Sequence, residues 1–435
     1  MMSKRESPNL LHRNFEGGRP EILTASVSSR VVRRVNVTML ASSNVDIVQT
    51  MRLFANHGID CTFIVPTATG LQKSIMDATT SVRDYLNKFN LHDFSQQEKG
   101  PNHKVTLQTV IITDLEIADG QTSLYRPETK DGDPRIWISR LNSHANENDL
   151  IALVACDKKL VAINCKRANL EKLLTEKSSP FWDTYRAKPT ALPPEAAELA
   201  GKLTEICSRG FIQTLRAGDT GVGYTLETLL GIAANSSKSP DYKGIEIKSG
   251  RSRSVARGRT TIISLVPNWK LSRLKSSKEL LNERGRFNQK KNRIQLFHEL
   301  SALKSNSYDM KLRVEEKRGF LHQETLMGLD KITDVTWEFS TLSERLNRKH
   351  GKTFWVKADA NGSGSAEEFW YNRLIYTSGI NPSKLPLLIE TGVVTVDYTI
   401  KEKPTGGAKD QGYLFKINQA DLDLMFEAPQ KISIC

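Results

Sequence analysis

The chain of 435 residues reads as a mixed α/β (α+β) protein built in two parts, and three observations predict this. Short apolar runs of strand character alternate with segments whose apolar residues recur at helical spacing. Four prolines, Pro180, Pro189, Pro193 and Pro194, crowd into residues 178–194 and break regular structure there. The two sides of that segment also differ in charge. Residues 1–200 hold 25 Lys and Arg against 23 Asp and Glu, a net of +2, whereas residues 201–435 hold 37 against 26, a net of +11.

Taken in order, residues 1–25 are expected to form a mobile tail. Val31–Leu40 reads as a strand. Val45–His57 has helical spacing at Val45, Ile47, Val48, Met51, Leu53 and Phe54 and is closed by Gly58. Cys61–Val65 is a short strand ended by Pro66, and Ser74–Phe89 an amphipathic helix. Val105–Ile112, Pro134–Leu141 and Leu150–Ile163 are strand-like. These elements make an α+β N-terminal domain over residues 26–177, with 178–194 as linker. A helix from Glu195 to about Leu215 opens the second domain, 195–435.

The stretch richest in chemistry runs from Gly218 to Arg251, GDTGVGYTLETLLGIAANSSKSPDYKGIEIKSGR. Thr225 stands where a helix N-cap belongs, with Leu226, Leu229 and Leu230 behind it and Gly231 at the stop, so Glu227 falls on the first turn. Ser239-Pro240 interrupts regular structure, Asp241 to Gly244 forms a tight turn, and Ile245–Ser249 continues as a strand. Strand residues two apart share a face, so Glu246 and Lys248 point together while Ile245 and Ile247 face the core. Clustered carboxylates disfavour one another's ionisation and call for a cation. Mg²⁺ takes oxygen ligands, and in phosphodiester hydrolysis it activates water and neutralises phosphate charge. Asp241, Glu246 and Glu227 are therefore the candidate metal ligands. With Lys248, which orients the water or holds a phosphate oxygen, they are the candidate catalytic residues. A Glu-x-Lys pair alone is commonplace on a solvated strand; the complete set carries the reading.

These pieces resemble the signature of the MvaI/BcnI-type restriction endonucleases, in the MutH-like branch of the PD-(D/E)xK nucleases. The matching segments are TGVGYTLE, the Pro240-Asp241 pair and GIEIKS, followed by the less diagnostic KRGFLHQETLMGL, TFWVKAD, LIETGVVTVDYTI and GYLFKI. The likeness spans about residues 195–435. It implies a PD-(D/E)xK restriction-endonuclease-like core, a mixed β-sheet flanked by helices. It matches Glu227 to the helix glutamate, Asp241 to the motif aspartate, and Glu246 and Lys248 to the ExK pair. The implied activity is that of a type II restriction enzyme: Mg²⁺-dependent, sequence-specific cuts in double-stranded DNA that leave 5′-phosphate and 3′-hydroxyl ends. A monomer is implied, working beside a cognate DNA methyltransferase. The alternatives are a MutH-like nicking or repair endonuclease and a sequence-specific DNA-binding protein that does not cut. The intact Asp241, Glu246 and Lys248 argue against the last. Some MvaI-like nucleases resemble two-module enzymes, and by that analogy the N-terminal domain binds a second, effector copy of DNA.

Charge agrees with a nucleic-acid partner. Lys248 to Arg293 alone holds 14 basic residues and two acidic ones, Glu279 and Glu283, which suits a phosphate-backbone surface. Arg251, Arg253, Arg257 and Arg259 are the first DNA-contact candidates, joined by Arg318 beside Gly319 and by His322. A second basic and aromatic stretch, Tyr125 to Arg140, interleaves Arg126, Arg135 and Trp137 with Glu128, Asp131 and Asp133. The five cysteines show no paired spacing and the N-terminus has no apolar signal core, which predicts free thiols in a reducing cytoplasm. No apolar run is long enough to span a membrane.

Overall fold

Alternation of apolar residues on both faces dictates the first sheet. The computed structural model describes residues 47–113, 117–185, 191–232, 240–252 and 258–435; the expected tail and the expected strand Val31–Leu40 lie outside them. Its first helix, α1, covers residues 47–56. There follow β1 (Thr62–Ile64), α2 (Ala68–Lys73), β2 (Met76–Asp77), α3 (Thr80–Lys88), β3 (Val105–Ile112), β4 (Ile117–Tyr125), β5 (Arg135–Ile138) and α4 (Leu141–His144). The segment closes with β6 (Ile151–Cys156), β7 (Lys159–Asn164), α5 (Leu170–Thr175) and α6 (Pro180–Thr184). The strands form one sheet in the order β1-β6-β7-β3-β4-β5-β2, with only β3 and β7 parallel. Strand β6 is buried on both sides: Ile151 and Leu153 join one core, Ala152, Val154 and Cys156 the other.

Two expectations are corrected here. The helix read over Ser74–Phe89 is β2 followed by the shorter α3. The run Leu150–Ile163 is a hairpin, because Asp157 turns the chain with φ of 52°. The expected linker carries α6, whose Phe181 is fully buried in the second core of this sheet.

The second half begins with α7 (Pro194–Ser208), which stops well before the expected end at about Leu215: Gly210 turns the chain at φ of 70° into the short strand β8 (Ile212–Gln213). Next come α8 (Gly221–Leu229), β9 (Glu246–Arg251), β10 (Arg259–Ser264), α9 (Ser277–Arg284), β11 (Arg286–Asn288), β12 (Arg293–Leu300), β13 (Met310–Glu315), β14 (Phe320–Met327) and β15 (Asp330–Glu338). The remainder is α10 (Phe339–His350), β16 (Lys352–Asn361), β17 (Glu368–Ile380), α11 (Leu385–Glu390), β18 (Val394–Glu402), β19 (Ala408–Asn418) and β20 (Phe426–Ile432). These strands form three sheets, β10-β19-β18-β12-β11, β13-β14-β15, and a mixed sheet β20-β17-β16-β9 in which β9 runs parallel to β16 at the edge. Helices α7 and α8 cover one face of the mixed sheet. Leu199, Leu203, Val222 and Leu226 pack there against Ile247, Phe354, Val356 and Phe369. This is the expected mixed sheet flanked by helices.

The two halves are docked, and the described residues form one compact unit. The buried Asp60 after α1 meets Lys88 (2.8 Å) of α3 and also Lys384 (3.0 Å) and Asn381 (2.6 Å) ahead of α11. Burial alone would raise the Asp60 carboxyl, but Lys384 and Lys88 bring it down to about 2. Thr80 donates from both its N–H and its hydroxyl to the Glu316 carbonyl (3.2 and 2.7 Å), and Arg52 pairs with Asp421.

The expectation of five free thiols is also corrected. Cys207 of α7 and Cys435, 228 residues apart, form a disulfide, while Cys61, Cys156 and Cys165 are free. Spacing carries no sign of a pairing made by the C-terminus folding back onto a distant helix.

Candidate active site

Helix α8 sets the first wall of the site. It is capped at Thr220, not at Thr225, because Gly221 admits the Arg216 carbonyl against the start of the helix: a Cβ at Gly221 would lie 2.2 Å from that oxygen. Thr225 is an interior residue whose hydroxyl accepts the Leu215 N–H (3.0 Å). Glu227 therefore stands on the second turn. The stop at Gly231 is as expected. With φ of 71°, Gly231 donates to the Thr228 carbonyl (3.0 Å) and Ile232 to that of Glu227 (2.8 Å), the paired bonds of a Schellman cap.

The turn after Asp241 closes through reciprocal backbone bonds between Tyr242 and Ile245 (2.9 and 2.7 Å), with positive φ at Lys243 and Gly244. Strand β9 then enters in register with β16, Glu246 opposite Thr353 and Lys248 opposite Trp355. Ile245 and Ile247 pack into the core, as the alternation required. Asp241 is held against the strand by the Ile247 N–H, which donates to Oδ2 (2.8 Å).

Glu246 is the electrostatic centre. It is 1% exposed, yet burial, which alone would raise its carboxyl, is outweighed by two ammoniums and the carboxyl lies below its usual range. Lys248 and Lys349 each stand 2.8 Å from the same oxygen, Oε1. Oε2 is buried and has no hydrogen-bond partner among the described residues. Asp241 and Glu227 are shifted the other way. Burial raises Asp241, with Glu246 adding to it; burial raises Glu227, with Asp241 and Glu246 adding.

A cleft of about 330 Å³ opens beside them, lined among others by Arg216, Tyr224, Glu227, Lys248 and Ser249. Among the described residues no three His, Cys, Asp or Glu side chains stand close enough to hold one ion. The carboxylates are in electrostatic reach of one another without forming a closed ligand set. The donors nevertheless suit a hard cation. They are all oxygens, Glu246 raises the basicity of the other two, and its buried Oε2, without a hydrogen-bond partner among the described residues, is an acceptor in want of one.

The pattern of the MvaI/BcnI restriction endonuclease family matches residues 200–426, which encloses every one of these groups. The chain belongs to that family. It is a restriction endonuclease, a nuclease acting on DNA. The restriction endonuclease MvaI bound to its cognate DNA substrate is 24% identical with a TM-score of 0.49, and MvaI in the absence of DNA is 21% identical with a TM-score of 0.37; each alignment covers 56% of this chain and 100% of that one. No curated protein matches the chain. No helix among the described residues is long and apolar enough to cross a membrane.

The six DNA-contact candidates are placed unequally. Arg251 pairs bidentately with Glu367 (2.6 Å twice) and caps the Gly218 carbonyl (3.0 Å). Arg259 is held by Asp397 (2.8 Å), Thr395 (2.6 Å) and Glu299 (3.1 Å). His322 is buried in the β13-β14-β15 sheet between the Thr336 hydroxyl (2.9 Å) and Glu315 (3.1 Å), and burial pushes its pKa down. Arg318 is exposed, 5.3 Å over the Phe320 ring and 3.7 Å from Glu315. Arg253 and Arg257 lie outside the described residues.

Two residues of the site escaped the sequence reading. Lys349 belongs to Arg348-Lys349-His350, which as sequence is an ordinary basic helix end. His350 supports it from below: its Nε2–H donates to the Ile262 carbonyl (2.6 Å), its ring stacks on Trp355, and burial drops its pKa to about 4. Arg216 lies in a loop whose sequence shows no motif around it.

Proposed function

We propose that the protein is a Mg²⁺-dependent type II site-specific deoxyribonuclease that hydrolyses phosphodiesters in double-stranded DNA, leaving 5′-phosphate and 3′-hydroxyl ends. The observation that carries this reading is Glu246: a buried carboxylate with one oxygen held by two lysines and the other bare, flanked by Asp241 and Glu227. Asp241 and Glu246 would hold the ion, and Glu227, on the cleft wall, would bind a second ion or order the water around the first. Bound there, Mg²⁺ supplies Lewis-acid polarisation of the phosphate and a water of lowered pKa. Lys248, 29% exposed at the cleft, holds a non-bridging phosphate oxygen or the attacking water. Lys349 keeps Glu246 ionised and its Oε1 fixed. Glu227, its basicity raised by burial and by Asp241, orders water at the cleft wall and accepts a proton at a carboxylate oxygen.

Arg318, with Arg253 and Arg257, is proposed to touch DNA. The enzyme is proposed to act as a cytoplasmic monomer beside a cognate methyltransferase. The N-terminal domain, residues 26–177, is proposed to bind an effector copy of DNA. A ratio of one between cleavage rates on one-site and two-site plasmids would remove that role.

The central test is plasmid digestion with Mg²⁺. Asp241→Ala, Glu246→Ala and Lys248→Ala are expected to abolish cutting while DNA binding in Ca²⁺ persists, because Ca²⁺ accepts oxygen ligands with looser geometry. Discrete fragments support restriction, and accumulation of nicked circles supports the nicking alternative. Full-rate cutting by Asp241→Ala or Glu246→Ala ends the assignment.

A further inference from the structure

We propose that Arg216 is a phosphate clamp of the cleavage cleft, holding the DNA backbone beside the scissile bond. This rests on the reading that the cleft is where DNA is cut.

Four observations carry it. Arg216 lines the same cleft as Glu227, Lys248 and Ser249. Its guanidinium lies 3.8 Å over the Tyr224 ring, on the first turns of α8, a stack that fixes the plane of the fork while leaving its N–H donors available. Among the described residues no carboxylate stands at ion-pair distance from it, in contrast to Arg251 at the end of β9, which is paired with Glu367. Its backbone is built in on every side. The Thr214 hydroxyl donates to the Arg216 carbonyl (2.7 Å), Thr225 anchors the Leu215 N–H, Thr214 is tied to the Glu367 carbonyl (2.8 Å), and Gly221 alone admits the close approach of α8.

An exposed guanidinium stacked on Tyr224, with no carboxylate at ion-pair distance among the described residues and at the rim of a site dense in carboxylates, is arranged for an anion brought by the substrate. Arginine matches a phosphate bidentately, and such charge-assisted pairs also fix register.

The test uses the full-length protein and synthetic duplexes carrying the recognition site, with single backbone phosphates replaced one at a time by uncharged methylphosphonates. Binding is measured in Ca²⁺, so it does not depend on cutting. Arg216→Ala is expected to weaken binding roughly 10- to 100-fold, the range of a hydrogen bond to a charged group. It should also lower the slope of log affinity against log salt by about 0.9, one phosphate. At one or two adjacent positions the methylphosphonate should impose the same loss on the wild type and none on Arg216→Ala, and Arg216→Lys should recover part of the loss as a point charge. The proposal is overturned if the Arg216→Ala loss adds to that of every methylphosphonate, or if Arg216→Ala leaves the salt slope unchanged. Arg216→Gln, which keeps bulk over Tyr224, carries the same readouts should Arg216→Ala fail to fold. Lys248→Ala separates this from the catalytic reading: if it cuts DNA at the wild-type rate the active-site reading fails, whereas the methylphosphonate pattern judges Arg216 alone.

Discussion

Lys349→Met is the substitution that probes the site most directly. It removes one of two ammoniums, each 2.8 Å from Glu246 Oε1, and keeps the apolar stem of the side chain. Removing one partner of a fully buried pair costs about 3–5 kcal/mol. Here Lys248 remains and Lys349 is itself 22% exposed, so the expected loss is about 1–2 kcal/mol. Burial, which raises the Glu246 carboxyl, would then be opposed by one ammonium instead of two, so that carboxyl should move upward. The sign follows from linkage. The folded carboxyl of Glu246 lies below its ordinary 4.5, so its pairing stabilises the protein above that pH and is lost as pH falls through the folded value. The deficit of Lys349→Met should therefore be full at pH 7 and shrink as pH is lowered through 4.5. Urea unfolding without divalent metal at a series of pH values measures this, and the acidic limb of the cleavage profile should move to higher pH in parallel. A variant as stable as the wild type at pH 7, with an unmoved acidic limb, would show that Lys349 is only a solvated helix end.

Three further outcomes are expected. Asp60, held at about 2, should contribute ~2 kcal/mol that is present above its ordinary 3.8 and lost as pH falls towards 2; Asp60→Asn, which strands Lys88 and Lys384, should remove that acid dependence from the unfolding curve. Gly221→Ala, whose new Cβ would sit 2.2 Å from the Arg216 carbonyl, should destabilise by about 1–3 kcal/mol and impair cleavage more than Gly231→Asn, a change at a left-handed position in open space; equal effects would contradict the packing argument. Reduction, or Cys207→Ser, should cost about 2–4 kcal/mol, and peptide mapping without reductant should recover Cys207 joined to Cys435; five free thiols would refute the pairing.

The sequence by itself determined the local chemistry of the site. Strand alternation put Glu246 and Lys248 on one side and Ile245 and Ile247 in the core, and a glycine after a leucine-rich turn ended α8 at Gly231, because both patterns depend only on near neighbours. The start of α8 was misread because Thr225 is an adequate N-cap by type. What displaced it was the close approach of Arg216 to Gly221, a contact between loop and helix that no residue preference encodes. Only the tertiary structure decided that Lys349 reaches Glu246, that Arg251, Arg259 and His322 are occupied by Glu367, Asp397 and Thr336, and that Cys435 meets Cys207. Each joins elements far apart in sequence, and partner choice there is fixed by sheet register and helix packing, not by local propensity.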